Sequence, residues 1–186
     1  MSLFEVMIAM VIALTALVAT ALSIDSSRHA NNKSEYRAAA GHVAEKELER
    51  IQSLPYGSVL LDSAPATSTD ANDPGYYVTP GSPQTYRWDQ RTGSSESPEP
   101  LAIASGGTCL PAPCLEATPT SWSDGRLSGK VYRYVTWVDD TVCGSLCPGS
   151  SDFKRVTVAV TEDADANRPP VLTSVAVTDP TARRGY

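Results

Sequence analysis

Hydrophobic positions are distributed unevenly along this chain. From Met1 to Ile24, 19 of 24 residues are apolar and Glu5 is the one charged residue, which excludes a plain soluble domain. Val6 to Ile24 runs without a charge, a proline or a glycine. As a helix this run spans about 28 Å, close to the ~30 Å hydrocarbon thickness of a bilayer. A secretory signal peptide needs a basic n-region and a small-residue cleavage site. Here no Lys or Arg precedes the run, Glu5 sits at its mouth, and the helical pattern continues past it. The spacing therefore predicts an anchor or an assembly helix.

From Asp25 to Leu54 there is no proline and a single glycine, Gly41. Apolar residues recur at Tyr36, Ala40, Val43, Ala44, Leu48, Ile51 and Leu54, the period of a helix with one apolar face. Lys33, Arg37, Glu45, Lys46, Glu49 and Arg50 fill the other faces. Pro55 stops the pattern, because the residue before a proline is pushed out of the α region. One helix from about Ser2 to Leu54 would be about 80 Å long. Its first half needs lipid or other copies of itself; its second half needs the domain that follows.

Beyond Pro55 the pattern changes. Residues 55–130 are rich in Pro, Ser, Thr, Gly and Asp and read as loops, with short strands expected at Tyr76–Val78 and Thr85–Trp88. Three stronger strands follow: Val131–Val138, Lys154–Thr161, with Val156, Val158 and Val160 on one face, and Val171–Thr178. An antiparallel meander is expected, extended by residues from 76–89, with one face on the amphipathic half of the helix. The fold class is α+β: a long N-terminal helix packed by its C-terminal half on an antiparallel sheet, with long loops. The chain divides into an apolar segment 1–24, an amphipathic segment 25–54, a loop-rich segment 55–130, a sheet 131–178 and a tail 179–186.

The length, 186 residues, allows one globular head beyond the helix. The net charge of −6 argues against a nucleic-acid partner, whose phosphates need clustered Lys and Arg. Cys109, Cys114, Cys143 and Cys147 all lie outside the apolar segment, and an even count in an exported domain favours disulfides. Local pairing, Cys109–Cys114 and Cys143–Cys147, would staple two loops; cross-pairing would tie the loops together. Neither CLPAPC nor CGSLC has zinc-ribbon spacing.

No catalytic pattern is present. His29 and His42 lie thirteen residues apart on the helix and read as solvated residues rather than a metal pair. Asp139-Asp140 reads as a turn at a strand end. Asp163-x-Asp165-x-Asn167 begins like a calcium loop, but Arg168 and Ser174 stand where glycine and glutamate belong, so a turn between strands is expected. Asn32-Lys33-Ser34 is a formal N-glycosylation sequon on the helix. No metal, cofactor or enzymatic activity is expected.

Glu5 has two readings. It lies at headgroup level and is solvated, or it is a counter-ion within a bundle of identical helices, pairing with the α-ammonium of residue 1 on a neighbouring copy. The run Met1-Ser2-Leu3-Phe4-Glu5-Val6-Met7-Ile8-Ala9 resembles the mature N-terminus of type IV pilins and secretion pseudopilins. The stretch from Ala44 to Tyr56 resembles the end of their long helix. The resemblance covers about the first 30 residues by motif and the rest by architecture. It implies cleavage by a prepilin peptidase, N-methylation at Met1, and assembly through Met1 and Glu5. It also implies an inner-membrane stage, pilus assembly machinery, and a final place in an extracellular filament, alone or with other pilins. Leu22 stands where many pilins carry a helix-breaking proline. Ala9 and Ala13 form a small-xxx-small pair, joined by Ala16, Ala19 and Ala21, which also suits plain helix propensity. The expected function is a pilus subunit. The alternatives are a minor pilin or type II secretion pseudopilin and, from other classes, a single-pass membrane-anchored binding domain with Met1 as initiator, or a membrane-tethered enzyme.

Overall fold

The computed structural model describes residues 2–81, 86–89, 98–138, 153–165 and 167–179. The chain forms two compact units, Met1–Ala38 and Ala39–Tyr186. The long helix, α1, is continuous over Leu3–Gln52. Ser2 starts it, taking the Glu5 N–H on its carbonyl at 3.0 Å and on its hydroxyl at 3.4 Å. At the other end the Ser53 N–H closes on the Glu49 carbonyl and Pro55 leads into a 3-10 turn, Tyr56–Ser58. The helical stripe emerges as expected. Tyr36, Ala40, Ala44, Leu48 and Ile51 are buried, while the charged residues named above are exposed.

Among the described residues, seven strands follow. Val78–Thr79 (β1), Arg87–Trp88 (β2) and Glu99–Pro100 (β3) form a small antiparallel sheet. Thr120–Asp124 (β4), Leu127–Val138 (β5), Phe153–Glu162 (β6) and Val171–Val177 (β7) form the main antiparallel sheet in that order. The β5–β6–β7 meander is the expected one, and the C-terminal half of α1 packs on this sheet.

Among the described residues, the expected extension of the meander by residues 76–89 is not found. Val78–Thr79 and Arg87–Trp88 belong to the small sheet, and the fourth strand of the main sheet is β4, joined to β5 by a tight turn at Gly125 with φ +61°. Past β4, the same side of β5 is continued by irregular chain. The Ala102 N–H donates to the Val135 carbonyl at 2.8 Å, and Leu61 bridges both Ile103 and Leu115. Backbone groups of the loop-rich segment thus finish the sheet's hydrogen bonding.

Both faces of β5 and β6 are buried. Val131, Val135, Val156, Val158 and Val160 share the face that carries Arg133, whose guanidinium reaches Glu47 on α1. Tyr134 and Thr157 lie on the opposite face, and there the Trp88 ring stacks on Tyr134 at 4.4 Å between centroids and 10° between planes. The small sheet and its flanking turns therefore form the third layer of the head.

Candidate functional site

The residues singled out from the sequence fall on two features: the start of α1 and the cysteine loops. Met1, Cys143, Cys147 and Asp139-Asp140 lie outside the described residues. Glu5 lies in the first turn of α1 and is exposed. A carboxylate there is favoured by the partial positive charge of the helix N-terminus. Ser2-x-x-Glu5 also has capping-box spacing, and the Ser2 hydroxyl takes up the Glu5 N–H as such a box requires. Glu5 thus has a local role in starting the helix that the apolar pattern alone did not reveal; the Ser-x-x-Glu spacing was the signal for it.

Downstream of Glu5 the helix presents apolar side chains on every face. Met7, Leu14, Leu17 and Leu22 are each about three-fifths or more exposed (59%, 62%, 66% and 67%), so no described part of the chain covers them. The two threonine hydroxyls in the run are satisfied within the helix. Thr15 Oγ1 donates to the Ile12 carbonyl at 2.9 Å, and Thr20 Oγ1 to the Leu17 carbonyl at 2.8 Å. This back-bonding keeps both threonine donors from facing an apolar surround unpaired. Leu14, Thr15, Val18, Ala19 and Leu22 line a shallow apolar groove on the helix surface. The helix is a candidate membrane span by length and composition.

In the head, Cys109 and Cys114 are joined in a disulfide with 5.3 Å between their Cα atoms, the local pairing for the first loop. Cys109 is buried, whereas Leu110 at the tip of the stapled loop is 87% exposed. The loop seats against the helix-exit turn: Ser58 Oγ donates to the Pro111 carbonyl. A Cβ on Gly57 would come within 2.4 Å of the Leu110 carbonyl oxygen, so glycine permits this approach.

His29 pairs with Asp25 at 3.7 Å one turn away, with both side chains exposed. Among the described residues no group of three His, Cys, Asp or Glu side chains is placed to hold a metal ion. Asp163, Asp165 and Asn167 form the expected corner between β6 and β7. Asp165 accepts the Asn167 N–H at 3.2 Å, Asp163 takes the Ser128 hydroxyl at 3.2 Å, and Arg168 pairs with Glu162 and Asp165. A cavity of about 180 Å³ lies beside this corner, with Asp70, Asp73, Lys130 and Tyr132 on its other walls. Burial, and then the Asp73 charge, push the Tyr132 phenol up to about 12, so it stays a neutral donor to Asp73. These groups bond to one another as a structural corner.

The two buried cations among the described residues, Arg133 and Lys154, escaped sequence reasoning. Arg133 is 7% exposed; its Nε donates to Glu47 at 2.5 Å and its Nη2 to Thr120 at 2.8 Å, while Nη1 has no hydrogen-bond partner among the described residues. Burial would raise the Glu47 carboxyl, but hydrogen bonds from Arg50 and Arg133 overcome it and hold the pKa below its usual value. Lys154 is 2% exposed beside Tyr56 and Trp137. A charged residue at an inward position of an alternating strand was the available signal for both. No family model, curated protein or solved structure matches this chain.

Proposed function

We propose that this chain is a structural subunit of a type IV pilus, built into a helical filament through its N-terminal helix. The observation that carries the reading is the apolar run of α1: it is exposed on every face and opens on a single carboxylate, Glu5. Such a surface is stable in lipid and, after leaving lipid, only against other apolar helices. Membrane insertion before assembly and filament packing after it ask for the same side chains. The folded head attached to α1, with a disulfide between Cys109 and Cys114, suits exposure outside the cytoplasm.

In this reading Glu5 pairs with the α-ammonium of residue 1 on a neighbouring copy, and any axial misregistration leaves that carboxylate unpaired among apolar side chains. Filament yield and membrane content of Glu5→Ala and Glu5→Gln test it. Both variants insert normally and neither assembles. Normal filaments from either one would remove the counter-ion role. The Ser2→Ala variant, which loses only the local cap, assembles at close to the normal level.

A minor pilin or a secretion pseudopilin uses the same helix and differs in abundance. Representation of the chain in sheared filaments separates these readings from a major subunit. A single-pass anchored binding domain remains the reading of another class; its chain would stay in the membrane fraction.

A further inference from the structure

The main sheet has two outer strands, β4 and β7, and among the described residues neither has a second neighbour. Each strand is antiparallel to the next, so β4 and β7 run in opposite directions. An outer strand presents unpaired N–H and C=O groups to any extended chain, and native sheets guard it with charge, proline or a bulge. β7 has none of these guards. Val171–Val177 holds no charge, proline or glycine, and its register with β6 is unbroken. Leu172, Ser174 and Ala176 are exposed along it. β4 carries one charge, Asp124, at its last position, and Ser121 and Ser123 are exposed.

We propose that β7 of one copy adds to β4 of a second copy, so that the main sheet runs on from head to head. Because the two edges run in opposite directions, they form an antiparallel pair when both copies stand in the same orientation. Copies held in one bilayer by the apolar run of α1, the candidate membrane span, share that orientation. Antiparallel pairing of two β7 strands would instead need a two-fold axis normal to the sheet, which turns the stretch of α1 packed there end for end. The inference needs copies anchored the same way up; it does not rest on the filament reading.

Side-chain alternation limits the register. Val171, Thr173, Val175 and Val177 lie on the helix side of the sheet, as do Thr120, Trp122 and Asp124. Pairing these with one another keeps both α1 layers on one face, and a one-residue slip would put them on opposite faces. On the far face Leu172, Ser174 and Ala176 then meet Ser121 and Ser123, so no charge is buried there. The charges lie at one end and are complementary. The β4–β5 tip carries Asp124 and Arg126, and the corner leading into β7 carries Asp163, Asp165 and Arg168. Head-to-tail pairing brings Arg126 of one copy towards Asp163 and Asp165 of the other, and Asp124 towards Arg168. Two short strands bury little surface, so isolated heads associate weakly, while chains sharing a bilayer meet at a raised effective concentration.

Cysteine crosslinking of the full chain, in membranes from cells that express it, tests this. One variant carries Ser174→Cys with Ser121→Cys, and a second carries Ser174→Cys with Ser123→Cys. Within one head β4 and β7 are three strand spacings apart, about 14 Å, beyond the reach of a disulfide, so any such link joins two copies. After mild oxidation, one of the two variants yields a ladder of dimers, trimers and higher species. Mass spectrometry of the linked peptides finds residue 174 joined to residue 121 or 123, at more than about tenfold the yield of a Ser174→Cys, Thr67→Cys control. Links from residue 174 to itself, giving dimers and no ladder, would overturn the proposal in favour of paired β7 strands. Yields no higher than the control in both variants would overturn it outright. The readout is taken on membrane-inserted chains, so it passes or fails whether or not the chain builds a filament.

Discussion

The Arg133 guanidinium, rising from the middle of β5, donates to the Glu47 carboxylate on α1 at 2.5 Å, and both side chains are largely buried. It is an ionic contact within the apolar layer between helix and sheet. Arg50, more exposed, donates to both oxygens of the same carboxylate, from Nε to Oε2 at 3.0 Å and from Nη2 to Oε1, the oxygen that Arg133 reaches, at 2.6 Å.

Breaking this pair from one side should cost far more than replacing it. Glu47→Ala leaves Arg133 buried without its counter-charge, where removing one partner typically costs about 3–5 kcal/mol. The double variant Glu47→Leu, Arg133→Met should recover most of that loss. Denaturant unfolding of the full chain in micelles measures both, and a double variant as unstable as Glu47→Ala would contradict the account.

The same carboxylate sets an acid limit. Its folded pKa lies below the unfolded value of 4.5. Its contribution is therefore present above about pH 4.5 and is lost as pH falls through the lower folded value. A pH series of melting temperatures should show a decline below pH 4.5 that is absent in the double variant.

Two glycines should respond oppositely to alanine. A Cβ at Gly129 would lie 1.8 Å from the Thr161 carbonyl oxygen and 2.8 Å from Trp122 Nε1, which itself donates to that carbonyl. Gly129→Ala should disrupt the β5–β6 ladder and destabilise the head by about 1–3 kcal/mol or more. At Gly41, in α1, a Cβ meets nothing within 4 Å. Gly41→Ala should stabilise by about 0.5–1 kcal/mol through helix propensity. Thermal melts of the two variants give the comparison.

Replacing both Cys109 and Cys114 by serine should cost about 2 kcal/mol, the chain-entropy value for so short a loop. The loss should match that of wild type under reducing conditions, corrected for any effect of reduction on the same serine variant. A double-serine variant as stable as wild type would show that the Ser58–Pro111 contact and the surrounding packing hold the loop alone.

The long helix was legible because its two halves obey simple patterns. An unbroken apolar run came first, and then a 3.6-residue stripe that the structure buries at Tyr36, Ala40, Ala44, Leu48 and Ile51. The three C-terminal strands were legible from β-branched and aromatic runs. β4 was not, because Trp122 is its single apolar residue and Thr, Ser and Asp make it look like a turn. The Asp124-Gly125 step carried a hairpin signal that could have revealed it. The second buried face of the sheet was hidden for a different reason. It is covered by chain from distant loops, such as Trp88 on Tyr134, and periodicity does not report such partners. At the helix start, Glu5 was legible as a charge at the mouth of an apolar run, and its cap from Ser2 was signalled by the Ser-x-x-Glu spacing, which the apolar pattern does not weigh.

In the proposed reading, the apolar N-terminal helix builds an extracellular filament after processing at Met1. Mass spectrometry of the N-terminal peptide, from material sheared off cells, tests it most directly. The account predicts a peptide that begins at Met1 and carries one extra methyl group. A formylated or unmodified Met1, found in the membrane fraction and absent from sheared material, would contradict it and leave a bitopic anchor.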